Sequence, residues 1–253
     1  MTAPGFAKLA AMNFSPPFDS LDSLQLQLRS RGYAVLSPQS VSTLAGVELA
    51  ELDALRASWI DLPPDAHLKD GGRYRRRRHG SFIADGGALQ AVPHRAHWQP
   101  VEYNALHGGM ERWFEPMEQG VVAAPAWSKL VGALGATSSQ LKGQRRWFVE
   151  AHQFRIDTTD GIGRPTPEGA HRDGVDVVAV FLVGREGIKG GETRVFDSEG
   201  PSGQRFTLAE PWSLLLLDDA RVVHETTPIQ PLAPGGHRDT LVVTLRSEGF
   251  QDA

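Results

Sequence analysis

Cysteine is absent from this 253-residue chain, which excludes disulfides, zinc ribbons, iron–sulfur clusters and thiol nucleophiles together. Missing too is any apolar run long enough to span a bilayer, and Met1–Leu9 lacks the charged start and apolar core of a secretory leader. A cytoplasmic location is the expectation. Charge of one sign is also scarce: the net value of −4 does not suit a chain that binds nucleic acid or a membrane surface as a whole. No repeat of solenoid or propeller period occurs, and no low-complexity linker marks a boundary. With 40% hydrophobic and 22% charged residues the composition is that of a globular protein. The expectation is one domain over residues 1–253.

The texture of the chain changes along its length. Residues 1–70 read as mostly helical. Leu21, Leu24 and Leu28 recur at helical spacing and Gly32 sits at a stop position. Tyr33–Leu36 reads as a short strand. Ser37-Pro38 resembles an N-cap with a first-turn proline, opening a helix with Leu44, Val47, Leu52, Leu55 and Trp59 on one face. A further helix is expected from about Pro125 to Gly135. From Arg145 onward short apolar or alternating runs are separated by turn residues, among them Trp147–Ile156, Val175–Val183, Val222–Thr226 and Leu241–Leu245. Many short strands at this spacing predict a mainly β fold with flanking helices, its jelly-roll core lying over residues 145–246.

His171-Arg172-Asp173 precedes one of these strands. In extended chain, residues two apart point to the same side, so an imidazole and a carboxylate converge there. Taken alone an H-x-D is weak, more often a surface histidine beside a loop aspartate. The same tripeptide recurs at His237-Arg238-Asp239. A two-histidine, one-carboxylate site needs another histidine, and His224 follows the first copy within a strand-like run, whereas none follows the second. Such a triad fills one face of an ion and leaves three adjacent positions open, as non-haem Fe(II) requires. A hydrolytic zinc with the same three ligands stays chemically possible.

Arg238 and Thr240 share a face at the start of a strand. If that face is the interior, a buried guanidinium needs an anion, and its planar fork suits a carboxylate. The alternative pairs Arg238 with Asp218 or Asp219 in a structural salt bridge.

The combination of His171-x-Asp173, a distal His224 and Arg238 on the next strand resembles the 2-oxoglutarate/Fe(II) oxygenase superfamily. More narrowly, the chain is similar to the bacterial family that includes L-isoleucine 4-hydroxylase (isoleucine dioxygenase) and the BsmA biofilm-stress proteins. The segments that carry the likeness are RYRRRRHGSF from Arg73, HQFRI from His152, PTPEGAHRD from Pro165, GGET from Gly190, DDARVVHETTP from Asp218 and RDTLVVTL from Arg238. The resemblance implies a double-stranded β-helix (jelly-roll, cupin-like) core, Fe(II), O2, and 2-oxoglutarate cleaved to succinate and CO2 while one oxygen atom enters a substrate. Carried over by motif, His171, Asp173 and His224 hold iron and Arg238, with Thr240, binds 2-oxoglutarate. Ile156 stands where the isoleucine hydroxylase has an aromatic residue, which leaves isoleucine itself unassigned.

The Arg73–Arg78 run is the densest charge in the chain. It could be a nucleic-acid patch, a solvated edge strand whose charges block edge pairing, or a strand with Arg73, Arg75 and Arg77 on one side and Tyr74, Arg76 and Arg78 on the other, one side facing an acidic substrate group. The resemblance favours the last over the first. Gln153 and Arg155 share a face and are further candidates for substrate contact, unless Phe154 and Ile156 point inward instead. His94, His97 and His107 fit no common metal spacing and are read as surface or packing residues. The expected function is hydroxylation of a small molecule, a free L-amino acid, with no nucleic acid or membrane as partner. The rivals are a zinc hydrolase or isomerase using the same ligands and a non-catalytic β-sandwich binding module.

Overall fold

The computed structural model describes residues 14–104 and 106–252. Met1–Leu9, read above for a leader, lies outside them.

The described residues contain five α-helices and twelve strands. The helices are α1 (Leu24–Arg31), α2 (Pro38–Ala45), α3 (Leu49–Asp53), α4 (Gln119–Val122) and α5 (Pro125–Lys142). The strands are β1 (Tyr33–Leu36), β2 (Arg75–Asp85), β3 (Ala88–Ala91), β4 (Trp147–Asp157), β5 (Val177–Glu186), β6 (Ile188–Gly190), β7 (Thr193–Asp197), β8 (Gly203–Phe206), β9 (Leu214–Asp218), β10 (Val222–Thr226), β11 (Ile229–Pro231) and β12 (His237–Arg246). The single helix expected after Ser37 is broken. Gly46 takes φ +63 and caps α2, and the chain resumes as α3 and a 3-10 turn over Ala54–Trp59. The apolar face survives the break, because Val47, Leu52, Leu55 and Trp59 are all buried. The helix from Pro125 continues beyond Gly135 to Lys142.

All strand pairs are antiparallel. Seven strands form the large sheet in the order β1-β9-β5-β12-β4-β2-β3, facing a three-stranded sheet β10-β7-β8 and a two-stranded pair β11-β6. This is a mainly β architecture with flanking helices, as the strand spacing predicted. The strand period then divides the residues between two layers. On β12, Leu241, Val243 and Leu245 join the helices' Leu28, Leu52, Trp59 and Trp127 in the main apolar cluster. The intervening Arg238, Thr240, Val242 and Thr244 look into the space between the sheets. No helix among the described residues is long and apolar enough to cross a membrane.

The arginine run is not an edge strand. β2 pairs along its length with β4; on its other side β3 reaches only Phe82–Asp85, but residues 63–65 cover the arginines, the Asp65 N–H donating to the Arg75 carbonyl and the Arg77 N–H to the Pro63 carbonyl, each at 3.0 Å. Arg75 and Arg77 are buried, while Arg73 does not join their face and ion-pairs with Asp160 at the surface at 2.8 Å. On the other face Arg76 meets Asp157 and Arg78 meets Glu118. The run therefore offers no free phosphate-binding stripe.

Candidate metal centre and its cavity

A loop and a strand bring the triad together. The residue pair His171 and His224 exchanges two backbone hydrogen bonds of 3.0 Å, tying the loop before β5 to β10. Beyond His171 the chain turns sharply at Gly174, which takes φ +74 and where a Cβ would fall 2.3 Å from the Tyr103 ring. The Asp219 carboxylate holds this turn, accepting the amides of Asp173, Gly174 and Val175 at 3.0, 2.8 and 3.1 Å.

The side chains then converge. Nε2 of His171 lies 3.9 Å from one oxygen of Asp173, and Nε2 of His224 lies 3.8 Å from the other. One ligand atom from each of the three falls within 4.8 Å of the others. Nδ1 of His171 is 2.9 Å from the Gly169 carbonyl, so it carries the proton and leaves Nε2 free as a ligand. Burial pushes the His171 imidazole down, but the Asp173 and Glu168 carboxylates outweigh it and raise it above its ordinary value. Burial and the neighbouring His171 hold His224 well below its own, in the neutral form that a metal needs. Two imidazoles and one carboxylate on one face fit Fe(II), with room on the cavity side for a chelating co-substrate.

His79, His97 and His152 also lie within 4.8 Å of one another, all buried. Ring orientation separates the two clusters. A metal sits in the plane of each imidazole that binds it, and the His79 and His152 rings are stacked at 4.7 Å with only 18° between their planes. Nearly parallel planes cannot aim at one ion. His171 and His224 are tilted by 43°. Moreover, His152 Nδ1 is already taken by the Arg77 guanidinium at 2.7 Å. The three form a neutral cluster around Glu150, which sits 3.1 Å from His79 and 3.2 Å from His97. Sequence reading left His97 outside the site because its spacing from His94 and His107 fits no common metal motif. It lines the cavity.

Arg238 and Thr240 are both buried and both line the cavity, on the strand next to β5. Two Arg238 nitrogens, Nε and Nη2, are buried with no acceptor. The structural salt bridge considered for it is not made: Asp218 pairs with Lys142 at 2.6 Å and Asp219 is spent on the metal-loop amides. Burial lowers the Arg238 guanidinium to about 10, with Arg185 across the ladder adding to the effect. Arg75 and Arg77 line the same cavity and share the Asp65 carboxylate, at 2.7 and 3.7 Å.

Two expected contacts are not made. Gln153 is fully buried on the opposite face of β4, donating to Ser58 Oγ at 2.7 Å. Arg155 forks onto Asp239 at 2.8 and 2.7 Å, again away from the cavity. The other parity of the strand, His152, Phe154 and Ile156, faces inward. The residue that reading missed altogether is Arg112, buried in the cavity wall and donating to Gln99 Oε1 at 2.9 Å. Nothing periodic surrounds it in sequence.

A jelly-roll whose mouth gathers two imidazoles and a carboxylate beside an unpaired buried arginine has the build of a 2-oxoglutarate-dependent oxygenase. The model of the 2OG-Fe dioxygenase family matches residues 56–244, and the chain belongs to that family. It is 54% identical to a bsmA homolog from Methylobium petroleophilum, covering 94% of this chain and 97% of that one, with a TM-score of 0.89. IDO from Bacillus thuringiensis shares the fold at 18% identity, over 96% and 100% of the two chains, with a TM-score of 0.73. The Fe(II)/α-ketoglutarate-dependent dioxygenase TqaL does so at 19% identity, over 89% and 86%, with a TM-score of 0.68. No curated protein matches the chain. Family membership makes Fe(II) and 2-oxoglutarate the cofactor and co-substrate, and displaces the zinc-hydrolase and binding-module alternatives.

Proposed function

We propose that the protein hydroxylates a free amino acid, with His171, Asp173 and His224 as the iron ligands and Arg238, assisted by Thr240, as the seat of the distal carboxylate of 2-oxoglutarate. The observation that carries the cofactor part is the pair of acceptor-less Arg238 nitrogens buried in the cavity that the triad opens into. A buried guanidinium without an anion is costly, and a carboxylate ligand removes the cost. Thr240, one strand period on, adds a hydroxyl beside it.

When bound, Fe(II) and 2-oxoglutarate would supply oxidative chemistry in which one atom of O2 ends in succinate, CO2 is released, and the other oxygen atom enters a C–H bond of the substrate. The chain's own residues bind, orient and exclude water. Val175, Val180 and Val242 form an apolar wall, and Phe154 and Ile156 continue it. Arginines 75, 77 and 112 line the rest of the cavity, the first two already held by Asp65. An aliphatic group to be oxidised and a carboxylate to be held are what these two surfaces fit, which supports an amino acid over a nucleic acid.

The test is an anaerobic titration followed by a screen. Fe(II) plus 2-oxoglutarate should give a weak visible charge-transfer band, and succinate release should be stimulated by particular free amino acids. A band with no stimulation by any amino acid, but with oxidation of a nucleic-acid oligomer, would overturn the substrate class.

A further inference from the structure

The charged groups of the cavity are not equivalent. Arginines 75, 77, 112 and 238 line it, as do Glu150, Glu168 and Asp173, with Asp65 buried behind Arg75. Arg75 and Arg77 share Asp65, and Arg77 is also clasped between the rings of Phe114 and Phe154, 3.6 and 4.5 Å from its guanidinium carbon. These two are already engaged. Arg112 is not: only 2% exposed, it donates to the Gln99 amide, keeps a buried Nε without an acceptor, and meets no carboxylate at salt-bridge distance among the described residues. Its state parallels that of Arg238. Burial, with Arg75 nearby, likewise brings its guanidinium down to about 10. Two buried cations thus stand without anions in one cavity, and the co-substrate's distal carboxylate satisfies only one.

An orphan acceptor complements the second. Oε2 of Glu168 is buried with no donor, while its Oε1 lies 3.7 Å from the His171 Nε2. Glu168 is close enough to Arg112 for its charge to favour the protonated guanidinium. An unpaired donor and an unpaired acceptor lining the cavity that holds the metal triad match a ligand carrying both a carboxylate and an ammonium on one carbon.

We propose that Arg112 and Glu168 are the recognition pair for the substrate's α-carboxylate and α-ammonium, and that the cavity, its other charges already partnered, takes a side chain without charge. No other cavity charge is left over for a side chain: Arg75 and Arg77 share Asp65, Glu150 is held by His79, His97 and Arg95, Asp173 belongs to the triad, and Arg238 faces the co-substrate. Of the cavity histidines outside the triad, His97 and His152 are kept neutral by burial. A substrate with an acidic or basic side chain would leave a net charge buried, which is strongly disfavoured. This inference rests on the amino-acid reading above and adds to it which residues bind and which amino acids are excluded.

The experiment measures succinate and hydroxylated product for the wild-type protein, Glu168→Gln, Arg112→Gln and Arg112→Lys. The panel holds free aliphatic amino acids, their amides, their N-acetyl and desamino derivatives, and acidic and basic amino acids. Mn(II) and 2-oxoglutarate binding, together with thermal melting, confirm that each variant is folded and loaded. Wild type should disfavour every blocked or charged-side-chain compound by at least tenfold. Glu168→Gln should lose the discrimination against blocked amines, and Arg112→Gln that against amides, with KM raised more than tenfold and Arg112→Lys recovering part. Retained amine discrimination in loaded Glu168→Gln, or a wild-type preference for acidic or basic amino acids, overturns the proposal while leaving amino-acid hydroxylation standing. No amino acid stimulating wild-type succinate release overturns the reading beneath it, and the recognition pair with it.

Discussion

Gln99 donates its side-chain amide to Oδ1 of Asp173 at 3.4 Å. The direction is set from behind, because Gln99 Oε1 accepts from Arg112 at 2.9 Å and from Asn104 at 3.2 Å, leaving only the NH2 end for the carboxylate. Outer contacts of this kind orient metal ligands. Gln99→Leu keeps the volume and removes both polar ends, so Mn(II) or Fe(II) affinity should fall about tenfold. Equilibrium dialysis checks this, and an unchanged affinity would mean that Asp173 is held by its backbone alone.

The two His-Arg-Asp copies should behave differently. His171→Ala, Asp173→Ala and His224→Ala should each abolish iron binding and turnover. His237→Ala should keep both, because His237 sits 3.6 Å from an Asp239 carboxylate that Arg155 already holds, away from the cavity. Metal content by mass spectrometry distinguishes them; a metal-free His237→Ala protein would sink the assignment.

Arg238→Ala should raise the dissociation constant of 2-oxoglutarate roughly 10- to 100-fold, the loss of a charge-assisted pair worth about 1.5–3 kcal/mol. Iron binding should change far less. Lysine should rescue only in part, since a point charge cannot reproduce the fork. Calorimetric titration of the Mn(II)-loaded protein gives both constants.

The buried histidine cluster predicts acid sensitivity. Burial lowers His79, His97 and His152 from 6.5, His97 to about 4. In the unfolded chain these imidazoles take up protons near pH 6.5, while the folded protein does so only at lower pH. The folded state therefore binds fewer protons across that window, and stability falls as pH drops from 6.5 toward 4. Glu150 carries the loss further: its carboxyl is held low against the effect of burial by His97 and His79, so its stabilising share disappears below its ordinary value of 4.5. Thermal melting from pH 7 to pH 4 should show the decline, and His97→Gln should show a shallower one. Parallel profiles for the two proteins would contradict this account.

Much of the architecture was legible in the chain alone. Period-two alternation placed strands at Val222–Thr226 and Trp147–Ile156 within a residue of where they lie, and Ser37 does cap a helix with Pro38 at its first turn. The same periodicity put Arg238 with Thr240 and Arg75 with Arg77, because residues two apart on a strand must share a face whatever surrounds them. The spacing of His171 and Asp173, with one further histidine after them on a strand, singled out the copy whose side chains converge.

Only the tertiary structure decided which face was which. His152-Gln153-Phe154-Arg155 is polar on both parities, so alternation fixes relative orientation and not absolute. Burying Gln153 and half-burying Arg155 on the helix side is tolerable only because Ser58 and Asp239 arrive from 95 and 84 residues away to pair with them. Arg112 and His97 lie outside the regular strands and helices, where no period constrains a side chain, and long-range packing alone delivers them to the cavity. Local geometry is encoded locally. The partner that makes a buried charge affordable is not, and that partner determines which charged residues become the site.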